Sequence, residues 1–276
     1  MNVPRSLLFV PGGRADMVAK VPRWSPDAVA VDLEDAVAAA DKDAARATAV
    51  SAVADLPATD ILVLVLVRVN GPRTPWYTDD VAAVAGSAAD GLVLPKLEEP
   101  GQVEDVLARL AGAGRPEMIV VAGLETARGV ARGRELLAGP GLLAGYFGAE
   151  DYIASVGGRR TAAGHEVLMA RSEVVLAATL AGVGALDQAV VAAHDHDAFR
   201  LDAERGRDLG HDGKICIHPA QVAIAHTVFT PSDDEVVHAR AVLEAGRGGV
   251  GLVDGEMVDD VHLRMASAVL ARAREA

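Results

Sequence analysis

Eight short apolar runs, each followed by polar or helix-spaced sequence, constrain this chain more than any other feature. The runs are Ser6–Val10, Ala28–Leu33, Ile61–Val69, Gly91–Leu94, Met118–Ala122, Leu142–Phe147, Val183–Leu186 and Lys214–Ile217. They are apolar along their length rather than alternating, the pattern of parallel strands covered on both faces. Between them Asp41–Val53, Asp79–Ala85, Gln102–Leu110, Ala127–Leu137 and His165–Ala181 repeat apolar residues at helical spacing. Eight strand–helix units in about 240 residues point to the α/β class, closed as a TIM (β/α)8 barrel. The competitor, an open doubly wound sheet, would usually carry a glycine-rich phosphate loop after its first strand. Pro11-Gly12-Gly13-Arg14 is not G-x-G-x-x-G, and no G-x-x-x-x-G-K-[ST] occurs.

The barrel is expected over residues 1–240, with 241–276 as an appended segment. Gly246, Gly248, Gly249, Gly251 and Gly255 read as a flexible connection. Beyond them Val261, Met265, Ala268 and Val269 recur at helical spacing. With four Phe, three Tyr and two Trp, the core has to be built from Ala, Val and Leu. A net charge of −13 opposes non-specific binding to nucleic acid or anionic lipid. The single cysteine, Cys216, excludes an intramolecular disulfide and a cysteine-based zinc cluster. The longest apolar run, Ile61–Val67, is far short of the ~20 residues of a membrane span. Met1–Val10 is interrupted by Pro11-Gly12-Gly13 and is no signal peptide, so a cytoplasmic protein is expected.

In such a barrel the chemistry lies at the C-terminal ends of the strands. Polar residues follow the runs there with unusual regularity: Asp32-Leu33-Glu34-Asp35, Arg68 and Asn70, Pro95-Lys96, Glu125 and Arg128, Glu150-Asp151, and His218. Glu34, Asp35, Glu125, Glu150 and Asp151 in one mouth repel each other unless a cation is present. A hard divalent ion that keeps several waters, Mg2+, suits two carboxylates plus substrate oxygens. The plainer reading is that these acids favour helix N-termini, which does not explain their gathering on one rim.

Arg68 suits a carboxylate or a developing oxyanion, or else a structural ion pair with a rim acid. Lys96 could form a Schiff base, but surrounding acids would keep it protonated, which favours ion pairing or a phosphate contact. His194-Asp195-His196-Asp197 reads as solvated loop rather than metal tract. His218-Pro219 is better placed but could simply close the barrel end. Ser155 and Ser172 lack a His–Asp pattern, so a serine hydrolase gains no support.

Eight motifs then occur in order: R-S-L-L-F-V-P-G at Arg5–Gly12, V-D-L-E-D-A-V at Val31–Val37, V-R-V-N at Val67–Asn70, L-P-K at Leu94–Lys96, L-E-T-A-R-G at Leu124–Gly129, F-G-A-E-D at Phe147–Asp151, D-G-K-I-C-I-H-P-A-Q at Asp212–Gln221 and D-G-E-M-V-D at Asp254–Asp259. Together they resemble the citrate lyase beta-subunit-like proteins of the HpcH/HpaI aldolase superfamily, over nearly the whole chain. The resemblance implies a Mg2+-dependent TIM barrel acting on acyl thioesters.

By motif position Glu125 and Asp151 correspond to the metal ligands. Glu34 and Asp35 correspond to groups holding metal-bound water, and Arg68 to the residue binding the acid or keto end of the substrate. Arg14, Lys20 and Lys96 stand as coenzyme A or substrate contacts. Asp259 corresponds to a catalytic acid/base supplied by a neighbouring subunit of a homotrimer, although it is equally a good helix N-cap. After Ala185-Leu186-Asp187 the chain reads Q-A-V-V-A-A-H-D-H-D, where many relatives have a proline or aromatic.

The expected partners are an acyl-CoA and a 2-oxo or 2-hydroxy acid, with no nucleic acid and no membrane. Cleavage or condensation of a β-hydroxyacyl-CoA such as malyl-, citramalyl-, citryl- or hydroxymethylglutaryl-CoA is the leading expectation. The alternatives are a citrate lyase beta subunit inactive alone and acting on an acyl-carrier-protein thioester, or a class II aldolase for free 2-oxo acids.

Overall fold

The computed structural model describes residues 2–56 and 64–275. Within them eight parallel strands close a barrel: β1 (Ser6–Pro11), β2 (Ala28–Asp32), β3 (Leu64–Arg68), β4 (Gly91–Leu94), β5 (Ile119–Leu124), β6 (Leu142–Phe147), β7 (Gly184–Asp187) and β8 (Gly213–Cys216). Each pairs in parallel with the next, β5 and β6 with a shift of register at Val120/Val121, and β8 returns to β1 through Ser6↔Lys214, Leu7↔Ile215 and Leu8↔Cys216. All eight apolar runs of the sequence appear as strands. The start of the third run, Ile61–Val63, lies outside the described residues.

The helices are α1 (Ala15–Val18), α2 (Lys42–Ala54), α3 (Tyr77–Ala85), α4 (Pro100–Gly112), α5 (Ala127–Ala131), α6 (Gly133–Leu137), α7 (Ala149–Val156), α8 (His165–Ala181), α9 (His196–Leu209), α10 (Ala220–Phe229), α11 (Asp233–Ala245) and α12 (Asp260–Glu275). The single helix expected over Ala127–Leu137 is two short ones, with Arg132 between them. Thr126 starts the first by accepting a hydrogen bond from Gly129 N.

The barrel interior is filled by Leu7, Ala28, Ala30, Leu66, Val93, Val121, Ala144, Tyr146, Leu186 and Ile215, with Phe9 packed against them. Side chains two apart on a strand share a face. The inward sets 28, 30 and 66 therefore continue upward to Asp32 and Arg68, and residues one step out of phase face the helices. Asp187 and Lys214 are of that second kind. Asp187 receives Arg171 Nε (3.0 Å) and Nη2 (2.7 Å) and lies 2.6 Å from Lys214 Nζ, which also reaches Asp202 at 2.6 Å. This buried network ties β7 and β8 to α8 and α9. Such groups tolerate burial only because each is paired.

Two compact units divide at 225/226: Val3–Ala225 contains the barrel, and the C-terminal unit runs from His226 onward. The C-terminal unit has its own small core of Ala239, Val242, Val258 and Ala266, with Leu243, Leu263 and Val269 packed on it. Its helix α11 opens with a capping box between Ser232 and Glu235. The glycine-rich stretch expected to be a flexible connection instead holds a short turn and a two-stranded antiparallel hairpin, Gly251–Val253 with Glu256–Val258. The glycines serve turn geometry there: Gly249 and Gly255 have φ of 109° and 86°.

Candidate active site

The upper layer of the barrel interior is polar. Asp32 and Arg68, the last residues of β2 and β3, are register partners. Arg68 Nε donates to Asp32 Oδ1 and Nη2 to Oδ2, both at 2.7 Å, and the guanidinium lies 4.8 Å from the centre of the Phe9 ring. Asp32 also accepts Glu34 N (2.8 Å) and Ala36 N (3.1 Å), so one carboxylate shapes the turn carrying Glu34 and Asp35. Arg68 Nη1 remains for the cavity side, 2.8 Å from Glu34 Oε2 and 3.7 Å from Asp35 Oδ2. The Glu34 contact is an ion pair only; Glu34 Oε2 is buried without a hydrogen bond. Burial pushes the Glu34 carboxyl above its usual range, against the pull of Arg68 and Lys96.

Behind that turn sits Lys42, a buried ammonium whose three protons are all used: it donates to Leu33 O (2.8 Å), Glu34 O (2.7 Å) and Asn70 Oδ1 (2.6 Å). Asn70 in turn donates to Asp80 Oδ2 at 2.6 Å, and Asp80 Oδ1 accepts from Arg46 Nε at 2.6 Å. The rim turn is thus anchored to α2 and α3.

Glu125 follows β5 and is buried. Its Oε1 accepts from the Tyr146 hydroxyl, and its Oε2 from Lys96 N at 3.1 Å. Two glycines make room for this arrangement. A Cβ on Gly148 would come within 2.5 Å of Glu125 Cγ, and one on Gly123 within 2.6 Å of the Tyr146 oxygen. Burial pushes the Glu125 carboxyl up to about 7, with the charges of Glu34 and Asp151 adding to it and Arg68 and Tyr146 opposing.

Asp151 stands in the first turn of α7 beside Glu150, which is taken up by Arg160 Nε at 3.0 Å. Lys96 Nζ reaches Glu34 Oε1 at 2.7 Å, Asp35 Oδ1 at 3.1 Å and Asp151 Oδ1 at 3.4 Å. Burial disfavours its charge, but Glu34, then Asp35 and Asp151, more than offset this and hold the ammonium above the ordinary lysine value. A Schiff-base role needs the neutral amine, so the geometry speaks against one. A cavity of about 400 Å³ opens over this layer, lined among others by Asp32, Asp35, Arg68, Glu125, Tyr146 and Asp151.

Among the described residues no three His, Cys, Asp or Glu side chains are set as a ready-made metal cage. A small hard dication needs only one or two carboxylates, completing its shell with water and substrate. Glu125 and Asp151 offer oxygen donors on the cavity wall, and Glu34 Oε2, buried and ion-paired with Arg68 but without a hydrogen bond, lies nearby. The donor chemistry fits Mg2+.

Six of the residues singled out by sequence therefore converge here: Arg68, Glu34, Asp35, Lys96, Glu125 and Asp151. Arg14 and Lys20 do not line the cavity; both bind Asp16, at 2.8 Å and 3.4 Å, on the exposed surface at α1. Asp259 caps α12, accepting Val261 N at 3.0 Å, with His262 Nδ1 2.7 Å from the same oxygen. The stretch read as solvated loop is partly helix: Asp195 caps α9 by accepting Ala198 N at 2.9 Å, and His196 is its first residue. His218 Nδ1 accepts Ala220 N at 3.2 Å, and its ring lies against His194. The Ser155 and Ser172 hydroxyls donate to the carbonyls of Tyr152 and Leu168, at 2.7 and 3.0 Å.

Sequence reasoning noted Asp32 and Asn70 only as strand-end residues, and it missed Lys42 and Tyr146. Lys42 sits one step into a helix, with no local sign that it turns inward. Tyr146 reads as one more apolar residue of β6.

The family model for HpcH/HpaI aldolase/citrate lyase matches residues 5–219. The chain belongs to that family. The family is one of aldolases and lyases. A citrate lyase subunit beta-like protein of Deinococcus radiodurans is 47% identical, covering 98% of this chain and 99% of its own. A (3S)-malyl-CoA thioesterase of Cereibacter sphaeroides is 36% identical over 98% and 94%. Among solved structures, the protein CitE of Mycobacterium tuberculosis in complex with magnesium, acetoacetate and coenzyme A superposes with a TM-score of 0.83 at 34% identity, covering 98% of each chain.

Proposed function

We propose that this chain is a Mg2+-dependent carbon–carbon lyase for a β-hydroxyacyl-CoA thioester of the malyl-, citramalyl-, citryl- or hydroxymethylglutaryl-CoA class, or catalyses the condensing reverse. The observation that carries the reading is the convergence of Arg68, Glu125 and Asp151 on one cavity at the C-terminal ends of the strands. The likeness to a magnesium- and coenzyme A-bound relative supports it. Glu125 and Asp151 would hold the ion, with Glu34 and Asp35 holding its water. When bound, Mg2+ supplies a Lewis acid that polarises the substrate carbonyl.

The chain's own groups account for the rest. Arg68, held side-on by Asp32, presents Nη1 to the carboxylate or carbonyl end of the oxo-acid fragment. Tyr146 and the Lys96 N–H fix the orientation of Glu125. Cleavage requires a base to take the β-hydroxyl proton as the carbon–carbon bond breaks, leaving a carbonyl and a thioester enolate that is then protonated. We assign that role to Asp259, a carboxylate whose hydrogen bonds with His262 and the α12 backbone hold it below the usual range.

We assign Asp259 to the site of a neighbouring subunit in a cytoplasmic homotrimer. The C-terminal segment from 241 onward would pack on that subunit. The exposure of Val250, Leu252, Met257 and Met265 there supports this. Arg14 and Lys20 would release Asp16 to meet coenzyme A phosphates. Among the described residues no helix is long and apolar enough to cross a membrane.

The test is an assay of the purified protein against a panel of hydroxyacyl-CoA esters, with EDTA and with Mg2+ restored. Glu125→Gln and Asp151→Asn are expected to abolish the metal-dependent turnover; full turnover in either overturns the assignment. Thioester hydrolysis is a second reading, favoured by the 36% identity to a malyl-CoA thioesterase. It would give free coenzyme A and the hydroxy acid instead of a shorter acyl-CoA and a carbonyl product.

A further inference from the structure

We propose that the Lys96 ammonium is a built-in competitor of the divalent cation, held on Asp151 and on the neighbouring Glu34 and Asp35, and required to withdraw as the cation enters. This rests on the reading that Glu125 and Asp151 hold the metal.

One residue touches both of those side chains. The backbone N–H of Lys96 donates to Glu125 Oε2 at 3.1 Å, while its Nζ lies 3.4 Å from Asp151 Oδ1. The same Nζ also bridges Glu34 and Asp35, at 2.7 and 3.1 Å. The backbone adopts φ 54°, the left-handed region, which a residue with a long side chain occupies only when its surroundings compel it. A lysine serving only as a surface charge has no need of that geometry. Here the twist turns the N–H toward Glu125 and sends the side chain across the acidic rim.

A small dication sits about 2.1 Å from its carboxylate oxygens, so at Asp151 it would stand against the ammonium, and the two charges repel. The conflict is resolvable because the Lys96 side chain is 31% exposed and flexible enough to swing toward solvent. The wild-type rim is therefore expected to bind metal less tightly than its carboxylates alone would allow.

The experiment is titration calorimetry of the full-length protein with Mn2+ in the absence of substrate, comparing wild type with Lys96→Met, Lys96→Arg and Asp151→Asn. Circular dichroism checks that each is folded. Lys96→Met is expected to bind Mn2+ about tenfold more tightly, the scale of removing one cation beside a carboxylate. Lys96→Arg, which keeps the charge, shows no such gain. A lysine that merely supported the fold would weaken binding when lost. Unchanged or weaker binding by Lys96→Met, with binding still lost in Asp151→Asn, overturns the competition while leaving the metal site standing. Wild-type binding in Asp151→Asn overturns the metal assignment and the inference with it. Should Lys96→Met not fold, Lys96→Gln is read by the same criteria.

Discussion

Asp32 and Arg68 end neighbouring strands in register and meet through two parallel hydrogen bonds of 2.7 Å. The pair leaves the remaining guanidinium nitrogen facing the acidic rim, so the direction of Arg68 depends on a carboxylate that is itself almost fully buried. Replacing Asp32 by Asn keeps the shape and removes the charge. Arg68 then keeps Glu34 and Asp35 but loses its bidentate partner, and breaking such a buried pair costs up to about 3 kcal/mol. Asp32→Asn is therefore expected to lower the unfolding free energy by that order in urea titrations, and to raise KM for the acid fragment. An unchanged denaturation midpoint would show that the pair contributes nothing.

Lys42 carries the rim turn from behind. With Met at this position, Asn70 Oδ1 loses its donor and the Leu33 and Glu34 carbonyls lose one each. The expected loss is roughly 2–3 kcal/mol of stability. The displaced Glu34 and Asp35 should lower kcat/KM by about ten- to a hundredfold. Lys42→Arg should not rescue, because a planar fork cannot replace three converging donors from one nitrogen. Rescue by arginine, measured by the same two assays, would contradict the anchoring role.

The Tyr146 hydroxyl is the donor on Glu125 Oε1. Tyr146→Phe removes only that oxygen. Losing a group that orients a metal-binding side chain typically costs about ten- to a hundredfold in metal affinity. That is the weakening of Mn2+ binding expected by calorimetry, with the fold retained by circular dichroism. Affinity equal to wild type would remove Tyr146 from the site's machinery.

His211 predicts how the barrel responds to acid. It is fully buried, neither ring nitrogen has a hydrogen bond, and its Nε2 lies 3.7 Å from Asp187. Burial drives its pKa down, and Arg171 and Lys214 add to this against the pull of Asp187. Below about pH 6.5 the unfolded chain takes up a proton that the folded chain refuses. Stability therefore falls as pH drops through that value, by at most about 1.4 kcal/mol per unit, until the lower folded-state pKa is reached. His211→Leu is expected to remove this increment between pH 7.5 and 5.5 in urea titrations, and an identical pH slope in the variant would refute it.

The barrel was legible because its signals are local. A run of apolar residues, a helical spacing, and a polar residue at the end of a run each involve neighbours along the chain. They placed Glu34, Asp35, Arg68, Lys96, Glu125 and Asp151 at strand ends, and closure of the barrel brings those ends together. The glycine-rich stretch after α11 was misread because glycines favour flexible linkers and tight hairpin turns alike.

What the amino-acid order could not decide was facing. Asp32 and Asp187 are each the last residue of a strand. Asp32 points into the barrel and holds Arg68, whereas Asp187 points out and holds Arg171 and Lys214. Strands covered on both sides are apolar on both sides, so no alternation marks which face is which. Only the registered, closed sheet settles it. The same holds for Lys42 and Tyr146, whose partners lie far away in the chain: a side chain's local sequence specifies its chemistry, but its charge environment is set by the elements that packing brings against it.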